Sequence, residues 1–348
     1  MSKGISLMGV VLVALFTLII AEFVILQTAI VDSSELIRAV REAAIAEDIN
    51  SLEFLKRAEK HALNYSFYGS YYFLGKRGGY LNLQNLRSYG CVPYWQFYDE
   101  KNYPSFSDIT NNLKEATQKI FYKYLDNFRS EEIFVPYYTI NIKNMPSSES
   151  DTFPSYFDVE ATANQNLKFE SKYVKIEDKS GFSERVNSGF LSEYLNAKNF
   201  IESRNFKQII IDAINELNLK SSCSLTKSEI PSDEEVFSDS NCNGKSSSEA
   251  KTLIESKIRE KLSALGIGEA VIIAEITSSC SYSKTNSEYT KTCSFEFNAG
   301  YNALVKILSS SSYPLEDGVK KFEFKFRILV GTKTFPSLEL INSCTENL

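Results

Sequence analysis

Histidine is almost missing from this 348-residue chain: His61 stands alone. A Ser–His–Asp or Cys–His arrangement would have to recruit it, yet it falls between Lys60 and Ala62 in a stretch of helical periodicity. No two cysteines form a C-x-x-C pair, so with one histidine a zinc site lacks its donors. No cluster of Lys or Arg stands out, and the formal net charge is −6. That balance excludes nucleic acid as a partner, because phosphate binding needs a basic footprint. No glycine-rich dinucleotide fingerprint precedes a helix, and Gly75-Lys76-Arg77-Gly78-Gly79 lacks phosphate-loop spacing. Paired carboxylates for glycoside hydrolysis cannot be nominated among 44 acids. The sequence therefore names no catalytic residue, no metal ligand and no cofactor.

Long apolar runs are equally scarce, with one exception. Residues 5–31 carry a single charge, Glu22, and no proline. Such a run has the length of a bilayer-spanning helix, and the first 17 residues alone would cover roughly 25 Å. We therefore expect a retained anchor over 1–31 and membrane lipid as its surroundings, with no small-residue cleavage site of a secretory signal. Lys3 argues for an inside N-terminus, while Arg38 and Arg41 oppose it. Glu22 within the run is either a buried contact between neighbouring anchors or a residue at headgroup depth.

Six cysteines, an even number, suit an oxidising compartment and place the bulk of the chain outside the cell. One pairing follows from geometry. Strands over 269–284 and 289–309 with a turn at Asn286-Ser287 set Cys280 opposite Cys293. Cys223 and Cys242 bracket a Ser-rich loop, which leaves Cys91 with Cys344.

The start of the chain, Lys3-Gly4-Ile5-Ser6 followed by Leu7 to Leu15, resembles archaeal type IV pilin-like proteins. The resemblance implies a class III signal-like leader cut after Gly4, leaving Ile5 as the mature N-terminus. It also implies lateral packing into homo-oligomers or with other pilin-like subunits through the anchor helix, at small residues such as Gly9, Ala14 and Ala21. The sequence departs from the pattern at Gly9, the fifth mature position, where many such pilins carry glutamate. Further on, Gly78-Gly79-Tyr80 and then Cys91-Val92-Pro93-Tyr94-Trp95 look like a group of archaeal single-span surface proteins with "GGY" and "PYW"-like segments. That likeness carries no activity. Tyr80, Tyr94 and Trp95 form the candidate recognition surface, the alternative being aromatic packing beneath a loop.

Periodicity gives the rest. Leu36, Val40, Leu52, Leu55, Ala62 and Leu63 recur at helical spacing and predict a stalk helix over 32–78. Helices are expected from 107, over 187–202, 205–218 and 248–264. Strands are expected over 135–142, 166–176 and 319–330, the last alternating Phe322, Phe324, Phe326 and Ile328. The domains expected are an anchor (1–31), stalk (32–78), first α+β module (79–180), helical segment (181–220), exposed Ser-rich loop (221–248) and second α+β module (249–348). The fold class is α+β: a long N-terminal transmembrane and stalk helix, then an ectodomain of antiparallel sheet with packed helices. The sequon Asn64-Tyr65-Ser66 is a weak glycosylation site because it falls on that helix. The function expected is a non-enzymatic, membrane-anchored, pilin-like surface subunit. The alternative is an extracytoplasmic binding module on an uncleaved anchor.

Overall fold

The structure, a computed structural model, describes residues 7–171, 174–179, 181–315, 318–342 and 344. Of the side chains in 7–37, only those of Leu18 and Glu22 are described, and both are exposed. In chain order the elements are α1 (Leu7–Lys76), β1 (Ser88–Tyr89), β2 (Val92–Phe97), β3 (Glu100–Lys101), α2 (Phe106–Asp126), β4 (Ile133–Phe134) and β5 (Tyr138–Lys143). Next come β6 (Tyr156–Ala163), β7 (Leu167–Glu170), β8 (Lys175–Asp178), β9 (Gly181–Asn187), α3 (Gly189–Glu202), α4 (Phe206–Glu216), β10 (Ser222–Lys227) and α5 (Asp233–Ser238). The C-terminal part holds α6 (Ser247–Ala264), β11 (Glu269–Thr285), β12 (Glu288–Leu308), β13 (Tyr313–Leu315), β14 (Gly318–Lys320) and β15 (Glu323–Gly331). The class is α+β with a curled sheet.

Two expectations about the N-terminal part need correction. Among the described residues no helix is long and apolar enough to cross a membrane, so the transmembrane helix is not found. From Arg38 onward α1 carries a charge every few residues, which disqualifies that part as a span. The second half of α1 is also no free stalk, because Leu52, Leu55, Leu63, Phe67, Tyr71 and Leu74 are buried. The candidate processing site, Gly4 and Ile5, lies outside the described residues.

The chain forms two compact units that interleave along the sequence, unlike the successive modules expected. The smaller comprises Met1–His61, Leu125–Tyr138 and Ala163–Gly181. Its sheet has the order β4-β7-β8, all antiparallel. Polar contacts hold that sheet to α1 within the unit: Lys56 pairs with Asp178, and Ser171 Oγ donates to Asp48 at 2.5 Å. Here β7 and β8 are two strands where one was expected over 166–176.

The larger unit comprises Ala62–Tyr124, Thr139–Thr162 and Phe182–Leu348. A small sheet of order β5-β6-β9 belongs mostly to it, and β6 and β9 have no counterpart among the expected strands. Its main sheet is organised by the 21-residue β12. β11 lines one edge of β12 from Glu288 to Leu304, while β10 and β15 share the other edge, pairing with residues 289–294 and 300–308. β2 adds to β15 in parallel, so the sheet is mixed and not purely antiparallel. Two-residue closure at Asn286-Ser287, with φ of 49° and 69°, makes the β11–β12 turn of the type whose twist matches the strands.

The alternation in β15 has a direct consequence. Phe322, Phe324, Phe326 and Ile328 are all buried on the face covered by α3 and α4. Phe190 and Tyr194 of α3 and Tyr71 of α1 join them, with Tyr71 and Phe190 stacked at 4.9 Å. On α6, Ala250, Ile254, Ile258 and Leu262 recur every four residues and are buried, α6 lying against β11.

Residues 221–248 are not an exposed loop. Every second residue of β10 is small and polar, which leaves Cys223 and Leu225 facing a cluster with Val236, Phe237 and Phe295. The acidic run begins α5, because Ser232 and Glu235 form a reciprocal capping box. Ser246 and Glu249 do the same for α6. Ser246→Ala is expected to lower stability by about 1 kcal/mol, read as a shift in the denaturant midpoint at constant slope.

Candidate functional site

Gly78 and Gly79 end α1 in left-handed conformations, φ +55° and +84°, with Gly79 N–H donating to the Leu74 carbonyl at 2.7 Å. Any side chain here would collide: a Cβ on Gly78 falls 2.8 Å from both Pro93 Cγ and Trp95 Nε1. The Trp95 indole N–H donates to the Gly78 carbonyl at 3.1 Å, and its ring stacks on Phe326 at 4.5 Å. The "GGY" and "PYW" segments are thus two sides of one packing unit.

Tyr94 lies on the opposite face of β2 under the C-terminal segment. Its hydroxyl donates to the Leu340 carbonyl at 2.8 Å and accepts from Asn302 Nδ2 at 2.6 Å. Asn302 also donates to the Leu338 carbonyl, and Arg327 Nη1 donates to Asn302 Oδ1. Burial pushes the Tyr94 hydroxyl pKa up. The Cys91–Cys344 disulfide closes this arrangement. With Tyr94 at 2% and Trp95 at 0% exposure, neither can present a recognition surface, which corrects that expectation. They are core, covered by residues distant in sequence.

Tyr80 is different. It is half-buried and lines a cavity of about 580 Å³ with Asn82, Asp108, Asn112, Glu115 and Lys119. Its hydroxyl donates to the Asn102 carbonyl at 3.2 Å, and burial with nearby Asp108 raises its pKa. The charged groups are engaged locally: Asp108 accepts from Ser105, and Lys119 pairs with Glu115 at 3.0 Å. The cavity holds hydrogen-bonding groups but no nucleophile beside a base.

In the smaller unit, a groove of about 880 Å³ is lined by Ala43, Ala46, Phe54, Leu55, Phe128 and Ile133, with Phe54 74% exposed. Glu59, by contrast, is 2% exposed and accepts from the Tyr138 hydroxyl at 3.1 Å. Burial raises its carboxyl to about 7, against the opposing effects of Tyr138 and Lys56. His61 is exposed on α1, and the hydroxyl of Ser66 in the sequon is buried on the Ala62 carbonyl.

All six cysteines are paired: Cys91–Cys344, Cys223–Cys242 and Cys280–Cys293. Asp233, Cys280 and Cys293 converge like metal ligands, but the two sulfurs are bonded to each other and Asp233 binds Lys291 and Ser278. That trio offers no thiolate. Compared with family models, curated proteins and solved structures, the chain matches none.

Proposed function

We propose that this chain is a non-enzymatic extracytoplasmic protein, a pilin-like structural or assembly subunit of a cell surface. The observation that carries the reading is the set of three disulfides, which fits an oxidising extracellular environment. Attachment to the surface through the N-terminal segment, with Gly4 and Ile5 as the processing site, is the finer part and is supported by the pilin-like leader. Glu22, exposed on α1, would then be open to a neighbouring subunit. Mass spectrometry of native surface material is expected to find a mature N-terminus at Ile5 and an assembled protein. An intact Met1 on a strictly monomeric protein would end the reading.

The Tyr80 cavity favours a second reading, an extracytoplasmic ligand- or partner-binding module. It predicts that Tyr80→Ala and Asn112→Ala abolish ligand capture while leaving assembly intact.

A further inference from the structure

The β10 hexapeptide Ser-Cys-Ser-Leu-Thr-Lys (222–227) recurs with two changes as Ser-Cys-Ser-Tyr-Ser-Lys (279–284) in β11. Both flank the same stretch of β12 in the same register. Ser222 and Ser279 lie opposite Ser294, Cys223 and Cys280 opposite Cys293, and Lys227 and Lys284 opposite Tyr289. Each is antiparallel to β12, so the two are parallel to each other. Among the described residues no strand pairs with the outer edge of either. Neither hexapeptide contains proline, and the one charge in each is the final lysine, so the usual protections of an exposed edge are weak.

The backbone groups on these edges are aimed in a complementary way. In an antiparallel ladder alternate residues turn their N–H and C=O groups toward the partner and the rest turn away. Ala274 gives its N–H to the Glu255 side chain at 3.2 Å, so the even-numbered residues of β11 point outward along an unbroken register. Phe295 gives its N–H to the Ser221 carbonyl at 2.7 Å, so odd-numbered residues of β12 face β10. Cys223 and Leu225 therefore turn inward, and Ser222, Ser224 and Thr226 turn outward. A parallel ladder needs this alternation: an outward residue on one strand bonds the residues before and after its opposite number.

We propose that the β11 edge of one copy takes the β10 edge of a second copy in parallel register, an inference that rests on the structural-subunit reading. Cys280 N–H then meets the Ser222 carbonyl of the second copy, and the Cys280 carbonyl meets its Ser224 N–H. Tyr282 repeats the pattern with Ser224 and Thr226. Hydroxyl rows already formed inside the sheet, Ser224 to Thr292 at 2.8 Å and Thr226 to Thr290 at 2.9 Å, run on across the join through Ser281 and Ser283. Because the two edges differ, the contact is heterologous: each copy keeps one edge open for the next, and the chain of copies grows into a filament unless the rotation per copy closes it into a ring. Lys284 falls beside Lys227 of the second copy. Lys227 is paired with Glu235 at 2.7 Å, and added salt screens what repulsion is left.

The test is the full-length chain with Ser224→Cys and Ser281→Cys. Within one chain these positions sit on either side of Thr292, two strand spacings or about 9.6 Å apart, beyond disulfide reach. Across the join they are opposite neighbours. Mild oxidation is expected to give a ladder of covalent multimers on non-reducing gels, whereas either single variant, whose one new thiol faces a serine across the join, stays at the monomer position. Ser224→Pro removes an outward N–H and leaves the β10–β12 ladder intact. It is expected to raise the concentration needed for assembly about tenfold, the loss of one backbone hydrogen bond per join, while Ser224→Ala, which loses the same hydroxyl contact to Thr292 but keeps the N–H, unfolds at the same midpoint and assembles normally. If the native chain sediments as multimers but the double variant stays monomeric and Ser224→Pro assembles normally, the edge contact is wrong and the structural-subunit reading stands. If the native chain is monomeric at every concentration, both fall.

Discussion

Replacing Trp95 by alanine is expected to destabilise the larger unit by about 4 kcal/mol. The indole is fully buried against Phe326, with Phe324 and Tyr194 edge-on at 5.4 and 6.2 Å, so its removal opens a cavity that several aromatic rings cannot all relax into. It also strips the Gly78 carbonyl of its donor at the end of α1. Trp95→Phe refills part of the volume without the N–H and is expected to cost about 1–2 kcal/mol. Urea unfolding followed by circular dichroism checks both, since this is the only tryptophan and its fluorescence is lost with it. A loss under 1 kcal/mol for the alanine variant would show that the segment does not pack as described.

Glu59→Gln is expected to stabilise the smaller unit above neutral pH. In the fold the carboxyl is raised to about 7 by burial, from an ordinary value of 4.5. Below pH 4.5 both folded and unfolded chains hold the proton and the group contributes its full stability. As pH rises from 4.5 to 7 the unfolded chain gives up the proton first, so stability falls, and above 7 the contribution is gone. At about 1.4 kcal/mol per pKa unit the total is roughly 3 kcal/mol. The Lys56–Asp178 pair is present in both proteins and cancels in the comparison. Urea midpoints at pH 5 and pH 8 should converge at the lower pH and separate at the higher, with glutamine ahead. Parallel pH profiles would mean that Glu59 is ionised and solvated in the fold.

What could be read from the sequence was what local pattern encodes. Alternation in Phe322, Phe324, Phe326 and Ile328 reports a half-covered strand. The turn at Asn286-Ser287 fixes the pairing of 280 with 293 by counting alone. Residues 221–248 defeated that approach because β10 carries little hydrophobic signal. It is held by pairing with β12, by hydroxyl contacts and by Cys223, none of which has a period. Its near-duplicate at 279–284 was in plain view, and so was the S-x-x-E box at 232–235. Tyr94 and Trp95 show the other kind of limit. Whether an aromatic pair is surface or core depends on what folds over it, here β15 and the segment around Leu338 and Leu340, more than 200 residues later. The apolar run 5–31 set the expected membrane span, yet no described helix meets that requirement.

The central claim, an extracytoplasmic body closed by its cysteines, is tested most directly on protein taken from its native source, denatured in alkylating reagent without reductant and mapped by mass spectrometry. The account predicts no alkylated cysteine and three linked peptide pairs, 91 with 344, 223 with 242 and 280 with 293. Six alkylated cysteines would contradict it.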